Sequence, residues 1–332
     1  MTALTSKANI KSSREGFTLF SIYEDGVLAK RGQGADHVYQ AVFEEEQPTP
    51  DVVISRFWND PRNQGIIDAF MNNQLCIDAA QGKPEAIEAY KRYAVQDYFY
   101  LLDWFKFRVL RLATLPHDDF ELDSLGTELD SVHRSLNNFV KWWYETCIAP
   151  ESDGGLGMDP EDFQVERSIG AIAYGQYLQN NARQVDWYNL HIILIGCYWA
   201  WSKLGVKLYN DPSTNRDTIF YKTWIAPNVD TSSGTADLTR SAKALSQFLD
   251  DNAAANVSAV SDAEAHEIFR AALRLEVGLF NSAYDTPVPR PGRVPTLPDW
   301  LPTGPGPVQR SRLQISWEKL LGLKADETDE KF

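Results

Sequence analysis

The strongest constraint on this chain is a helical spacing of apolar residues that continues from about residue 50 to residue 284. Glycine and proline breakers divide it, and the spacing predicts helices over 51–58, 62–78, 84–113, 122–147, 161–182, 186–208, 215–226, 234–251 and 262–284. Strands do not alternate with these helices, which argues against a parallel α/β sheet. We therefore expect an all-α bundle.

The segments on either side of this helical region have a different character. In residues 1–49, Asp25-Gly26 lies between two short apolar runs and predicts a β-hairpin over 17–30, because this dipeptide adopts the positive φ of a tight turn. Eight of the 17 prolines lie between Pro287 and Pro307, and proline lacks the backbone donor that a helix needs. We expect an N-terminal extension (1–49), a helical domain (50–285) and a Pro-rich, acidic C-terminal tail (286–332).

The composition narrows the partners and the compartment. A net charge of −14 argues against nucleic acid or an anionic membrane surface as the main partner. No apolar run approaches the roughly 20 residues that span a bilayer, and the polar N-terminus lacks the apolar centre of a signal peptide. The three cysteines form no CxxC pair. We expect a cytoplasmic protein whose 12% of aromatic residues fill a core or line a pocket for a planar ligand.

The common cofactor and metal motifs are missing from the sequence. It has no GxxxxGK[ST] phosphate loop, no GxGxxG fingerprint, no HExxH or ExxH metal pair and no GxSxG nucleophile elbow. We expect no cofactor and no metal site.

Two carboxylates occupy unusual positions on predicted helices. Asp97, Tyr100 and Trp104 share one face of helix 84–113, where an acid beside two rings can bind an amino-heterocycle or can equally be solvated or bonded to a Tyr hydroxyl. Glu276 lies inside the apolar stripe of helix 262–284. A buried carboxylate needs a polar partner or a raised pKa, so Glu276 is a structural residue or an acid/base catalyst.

A third helix, 186–208, carries Cys197 on the same face as Trp201. A lone cysteine on such a face is usually an inert core residue, and reactivity requires a nearby base or a lowered pKa. Tyr174, on helix 161–182, is a similar case, since aromatic residues at helical spacing more often belong to a core than to a site.

In chain order, these pieces resemble the TenA/THI-4 family of thiaminase II-like aminopyrimidine aminohydrolases. The resemblance covers roughly residues 55–285 and rests on five pieces of sequence that occur in a fixed order. These are Gln96-Asp97-Tyr98-Phe99-Tyr100-Leu101, then Tyr174, then Gly196-Cys197-Tyr198-Trp199, then Tyr221-Lys222-Thr223-Trp224-Ile225, and finally Glu276 with Phe280 and Ala283-Tyr284.

The resemblance implies a haem-oxygenase-like helical bundle that binds no haem, and a homo-oligomer. It also implies roles for site residues. Cys197 would be the nucleophile that adds to a pyrimidine ring, and Glu276 would handle the proton of a ring nitrogen. The substrate-binding residues implied are Asp97 for the amino-pyrimidine edge, Tyr100 and Trp104 flanking the ring, and Tyr174 hydrogen-bonding within the pocket.

Two positions depart from the family pattern. Trp201 stands where members usually have a Tyr four residues after the Cys, and Asn228 stands where a Tyr usually follows the Trp-Ile block. We expect both residues to bind substrate. The loss of two hydroxyls changes which polar groups of a ligand the pocket can satisfy. Three hypotheses remain open: an aminopyrimidine aminohydrolase in thiamin salvage, a related enzyme acting on another small molecule in specialised metabolism, and a non-catalytic pyrimidine-binding protein.

Overall fold

The structure, a computed structural model, describes residues 52–112, 121–184, 187–256, 262–290 and 292. The β-hairpin predicted over 17–30 lies outside these ranges, as does most of the predicted tail. Within them, the chain forms helices connected by turns and loops, and its only β-type contacts are two isolated bridges.

Ten α-helices are found in the described residues. They are α1 (Val52–Trp58), α2 (Gln64–Met71), α3 (Gln74–Ala80), α4 (Pro84–Leu112), α5 (Glu121–Trp142), α6 (Ile169–Gln184), α7 (Trp187–Ile193), α8 (Trp201–Asn210), α9 (Arg240–Asn256) and α10 (Asp262–Asn281). The prediction of an all-α fold is confirmed. Predicted helix 84–113 is found almost to the residue as α4.

The prediction of one helix over 62–78 is wrong, because α2 ends before Asn72 and α3 begins after Asn73. The Asn73 side chain accepts a hydrogen bond from the backbone N–H of Leu75 at 3.1 Å and so starts a second helix. Predicted helix 161–182 also starts later, at Ile169. There the Ser168 hydroxyl accepts from the N–H of Ala171 at 3.1 Å and caps the first turn of α6.

Three π-helical turns interrupt the helical pattern at Trp143–Ile148, Ile195–Ala200 and Tyr221–Ile225. The second joins α7 to α8, so predicted helix 186–208 is in fact two α-helices around a π turn that contains Cys197. Predicted helix 215–226 is much shorter and centres on the third turn. Such turns widen a helix locally and are frequent at functional sites.

The helices pack in a bundle whose centre is formed by α4, α6 and α10. Helix α4 runs along α6, and α10 contacts α2, α6, α7 and the π turn that contains Cys197. Helices α6 and α10 are in close backbone contact where Gly170 meets Gly278. A Cβ atom on Gly170 would lie 2.5 Å from the carbonyl oxygen of Gly278, so a side chain at this position has no room.

The first residues of the predicted C-terminal tail run back over the bundle. The backbone N–H of Glu166 donates to Val288 at 2.8 Å, and the N–H of Arg290 donates to Gln164 at 2.8 Å. This extended pairing fits a segment whose prolines prevent a helix. None of the described helices is long and apolar enough to cross a lipid bilayer.

The Gly170–Gly278 contact gives a first testable prediction. We expect Gly170→Ala to lower the free energy of unfolding by about 1–3 kcal/mol, because the new methyl group meets backbone rather than a flexible side chain. Gly65 is the matched control, since it is also the second residue of a helix and a Cβ there meets nothing within 4 Å. Gly65→Ala should be neutral or stabilising by up to about 1 kcal/mol. Urea unfolding measures both, and equal stabilities would contradict the tight contact.

Candidate active site

A fully buried carboxylate, Glu276, lies at the centre of the bundle on α10. Both of its oxygens accept hydrogen bonds from aromatic side chains of other helices. The Tyr174 hydroxyl of α6 donates to Oε1 at 2.6 Å, and the Trp201 indole N–H of α8 donates to Oε2 at 2.8 Å. A buried carboxylate and two ring donors thus connect three helices at one point.

Burial and these donors act on the Glu276 carboxyl in opposite directions. Removal from water raises its pKa from 4.5 to about 7, although the hydrogen bonds from Tyr174 and Trp201 partly counter the rise. The sequence left two alternatives open for Glu276, a bonded structural residue or a group with a perturbed pKa, and the structure combines them. A carboxyl that titrates near neutral pH can both donate and accept a proton.

A second buried carboxylate, Asp97, lies on α4 and is only 8% exposed. Burial raises its pKa above 3.8, the negative charge of Glu276 adds to the rise, and the resulting pKa is about 8. The nearby Tyr93 hydroxyl opposes part of this rise. Nevertheless, within the described part of the chain, neither Asp97 Oδ1 nor the Tyr93 hydroxyl has a hydrogen-bond partner. A buried acceptor without a partner costs about 1–3 kcal/mol, which a ligand donor would recover.

Aromatic rings on α4 and α6 form a wall beside the two carboxylates. The ring centroids of Tyr100 and Tyr174 are 4.5 Å apart, and Trp104 lies 6.4 Å from Tyr100 and 6.2 Å from Tyr198. All four are at least nine-tenths buried. Tyr100 and Trp104 of α4 thus lie together with Tyr174 of α6 and Tyr198 of the second π turn, while Asp97 is coupled by charge to Glu276.

The Cys197 thiol lies in the π turn Ile195–Ala200, where it is the one half-buried residue among buried neighbours. Its sulfur is 3.6 Å from the carbonyl oxygen of Leu194. Burial raises the pKa of Cys197 well above 9, and the Glu276 charge raises it further, so the resting group is the thiol. Reactivity at neutral pH therefore requires a base at the moment of attack.

Gly196 allows the π turn to lie directly against Glu276. A Cβ atom at Gly196 would be 3.2 Å from Glu276 Cγ and 3.4 Å from the carbonyl oxygen of Ala272. The glycine next to the cysteine is thus explained by close packing, which places the turn that contains Cys197 beside the acid.

The two departures from the family pattern have different surroundings. Trp201 is bonded to Glu276, and its ring stacks on Phe280 with centroids 5.9 Å apart. Asn228 instead donates its side-chain amide to the carbonyl oxygen of Trp224 at 2.8 Å, and its own carbonyl accepts from Ser202 at 3.0 Å. The structure therefore places Trp201 with the acid, and the Asn228 amide in a helix-end contact.

Two further residues of this region were not predicted. Tyr93 lies one helical turn before Asp97, so the i, i+4 rule applied backwards from Asp97 would have found it. The Trp224 ring lies 5.4 Å from Trp201 and 5.9 Å from Phe280, and its N–H has no partner among the described residues. Nothing in the spacing of Trp224 indicates this position, because it depends on how the third π turn packs.

The described residues contain no group of three or more His, Cys, Asp or Glu side chains placed to hold a metal ion. A surface cleft of about 230 Å³ lies elsewhere, between Lys91, Leu156 and Lys222, and no residue of the predicted site lines it.

The described residues form an all-α bundle of the haem-oxygenase-like class, the fold of the TenA homologues that resemble it in structure. The chain matches the sequence profile of the TENA/THI-4/PQQC family over residues 82–286 and belongs to that family. The resemblance seen in the sequence is confirmed.

Individual relatives agree with this assignment. The chain is 27% identical over 223 residues to an aminopyrimidine aminohydrolase from Halalkalibacterium halodurans, an alignment that covers 67% of this chain and 92% of that protein. A TenA homologue from Pyrococcus furiosus has a similar structure, with a TM-score of 0.51, 17% identity and coverage of 70% and 99% of the two chains. A TenA family transcription regulator from Silicibacter sp. TM1040 is also similar in structure, with a TM-score of 0.51 and 18% identity. The match covers 72% of this chain and 98% of that chain.

The raised carboxyl pKa values predict how stability depends on pH. Unfolded Asp97 ionises near 3.8, whereas the folded group ionises near 8, so between these values the folded state binds more protons. Stability should therefore fall as the pH rises through this window. We expect Asp97→Asn to remove part of that fall, so that the variant gains at least about 1 kcal/mol relative to the unmodified protein between pH 5 and pH 8.

Asp103→Asn is the control for this experiment. Asp103 is also buried, but it is paired with Arg167 and Lys106. Loss of a charge from a paired, buried group should destabilise the protein at both pH values. Urea unfolding at pH 5 and pH 8 measures both variants. If Asp97→Asn showed the same loss as Asp103→Asn at pH 8, Asp97 would not be a strained carboxylate.

Proposed function

We propose that this protein is an aminopyrimidine aminohydrolase, a thiaminase II-like enzyme that hydrolyses a C–N bond next to a pyrimidine ring, and that it works in thiamin salvage. The observation that carries the proposal is the shared location of the Cys197 turn, Glu276 and Asp97 in one buried, aromatic-walled region. The name of the Halalkalibacterium relative supports the same reaction class.

Substrate recognition follows from the polar groups that lack partners. A 4-aminopyrimidine offers N–H donors on its edge and a flat face. The unsatisfied Oδ1 of Asp97 can accept from the amino group, while Tyr100 and Trp104 pack against the ring. Tyr174, whose hydroxyl is bonded to Glu276, fixes the position of the acid beside the ring.

The first chemical step is addition of the Cys197 sulfur to a ring carbon. A C–S bond forms, the ring loses its aromaticity, and a ring nitrogen gains a proton. The net change transfers the thiol proton to that nitrogen, and Glu276 can relay it because its pKa of about 7 allows both protonation states.

The second step expels the leaving group from the exocyclic methylene carbon. The C–N bond breaks as the ring nitrogen returns its proton to Glu276, which passes a proton to the departing amine, and an exocyclic alkene forms. The hydroxyl of a water then adds to this methylene carbon, the C–S bond breaks, the sulfur takes up the proton of that water to re-form the thiol, and aromaticity is restored. The products are a hydroxymethyl-pyrimidine and an amine, so one water is consumed for each C–N bond cleaved.

A second candidate function is a hydrolase, lyase or cofactor-free oxidase reaction on a different small molecule, in specialised metabolism. Trp201 and Asn228 favour it, because the Asn228 amide is bonded to backbone and Trp201 offers an N–H that is already donated to Glu276. Neither residue has the hydroxyl that a Tyr at the same position would offer to a ligand. A non-catalytic pyrimidine-binding protein is the third possibility, and turnover distinguishes it from the other two.

Cytoplasmic location, assembly into a homo-oligomer and the boundaries of the N-terminal extension and C-terminal tail stay predictions. The three cysteines, none of them in a CxxC pair, support the first of these.

Activity with aminomethyl-pyrimidine and with thiamin tests the proposed function. We expect chromatography to show hydroxymethyl-pyrimidine as the product with at least one of them. We expect Cys197→Ala to lower kcat at least about a hundredfold, because covalent addition is then impossible. Absence of product from both substrates, with folded protein, would reject the aminohydrolase assignment.

Cys147→Ala is the matched control for the nucleophile. Cys147 is also a π-turn cysteine with a raised pKa, but it is fully buried and lies in the first π turn. This variant should keep kcat within about threefold. Equal losses in the two variants would indicate a packing effect and not a nucleophile. If Cys197→Ala kept full activity on a different substrate, the second candidate function would be preferred.

A further inference from the structure

The two hydrogen bonds to Glu276 differ in what their donors can do. The Tyr174 hydroxyl at Oε1 can donate a proton or accept one, whereas the Trp201 indole N–H at Oε2 can only donate. When Glu276 is protonated, the Tyr174 hydroxyl can reverse its role, but Trp201 cannot. Oε1 is therefore the better oxygen for the proton, and Oε2 is held as a permanent acceptor.

The Trp201 ring is itself held firmly. It stacks on Phe280 at 25° between ring planes, and it packs against Trp224. Phe280 lies one helical turn after Glu276 on α10, so the same helix carries the acid and a ring that holds the donor. Trp201 also directly follows the π turn that contains Cys197. One side chain therefore connects the position of the nucleophile turn to the orientation of the acid.

We propose that Trp201 is a positioning residue that orients the Glu276 carboxylate through its N–H and directs the transferable proton to the oxygen bonded to Tyr174. This assignment replaces the sequence expectation that Trp201 binds substrate. It deepens the proposed function and rests on it only where Glu276 is taken as the acid/base.

Several titratable side chains face Glu276 from the surrounding helices and share its electrostatic environment. In the described part of the chain they come from α3, α4, α6 and the second π turn: Cys76, Tyr93, Asp97, Tyr100, Tyr174 and Cys197. All of these groups carry a negative charge when ionised, so none stabilises the Glu276 carboxylate by its charge. The two hydrogen-bond donors are what lower the pKa of Glu276 against burial.

Nuclear magnetic resonance of the indole N–H groups tests the contact in the unmodified protein without substrate. We expect the Trp201 resonance to move with pH at the midpoint at which infrared spectra show Glu276 to ionise, because the acceptor changes charge. The Trp224 resonance should stay constant through this midpoint, because its N–H lacks a partner in the described structure. The carboxyl signal is assigned with Glu276→Gln, and the indole signals with Trp→Phe variants.

Trp201→Phe and Trp224→Phe form a matched pair of adjacent indoles. We expect Trp201→Phe to raise the midpoint of Glu276 by about one pH unit, since one donor to a charged group is lost. Its kcat on the aminopyrimidine substrate should fall about tenfold, with KM changed less than threefold. Trp224→Phe should leave the Glu276 midpoint unchanged.

Each outcome decides between the alternatives. The positioning role would be overturned if the Trp201 resonance did not shift when Glu276 ionises. It would also be overturned if Trp201→Phe and Trp224→Phe had the same midpoint for the ionisation of Glu276. A large rise in KM at constant kcat would return Trp201 to substrate binding. If no aminopyrimidine is hydrolysed but the resonance and the midpoint behave as expected, the proposed function fails and the positioning role stands. The resonance experiment needs no substitution at Trp201 beyond assignment, so it remains decisive if Trp201→Phe does not fold.

Discussion

The site depends on one interaction, the pair of hydrogen bonds that Tyr174 and Trp201 donate to the buried carboxylate of Glu276. An isolated carboxylate at zero exposure would be very costly, and two donors make its burial tolerable. They also connect α6, α8 and α10 at a single point. Gly196 belongs to the same arrangement, because a larger residue would push the Cys197 turn away from the acid.

Asp97 and Glu276 both have raised pKa values in one low-dielectric region, so each can take up or release a proton near neutral pH. Each charge opposes the other, so Asp97 and Glu276 titrate as a pair, and ionisation of both is unfavourable. A ligand that brings N–H donors to Asp97 changes this balance, because it stabilises the Asp97 charge and leaves the proton on Glu276. Binding of an amino-heterocycle would thereby prepare the acid for proton transfer to a ring nitrogen.

The sequence predicted those parts of the site that depend on local helical geometry. Asp97, Tyr100 and Trp104 lie on one face of a long, regular helix, and Glu276 lies in an apolar stripe. Burial could therefore be expected for Glu276, whereas the sequence left a solvated position open for Asp97. The partners of Glu276 could not be derived in this way, since they are 102 and 75 residues away in the chain. The π turns also escaped prediction, because one extra residue per turn leaves the apolar spacing of a short segment almost unchanged.

The division of roles between helices limits how the substrate can change while the chemistry is kept. The turn that contains Cys197 joins α7 to α8 and packs against Glu276 of α10, whose carboxylate accepts from Tyr174 of α6 and Trp201 of α8. Asp97, Tyr100 and Trp104 lie on α4, and Asp97 Oδ1 makes no hydrogen bond to any described residue. In the proposed function, substitutions at Tyr100 and Trp104 on α4 would alter which heterocycle is recognised with little effect on Glu276. A change at Asp97 would also act on Glu276, because the charges of the two carboxylates oppose each other. A change at Trp201 would remove a donor of the acid itself, so in the proposed role the indole bears more directly on proton transfer than on substrate choice.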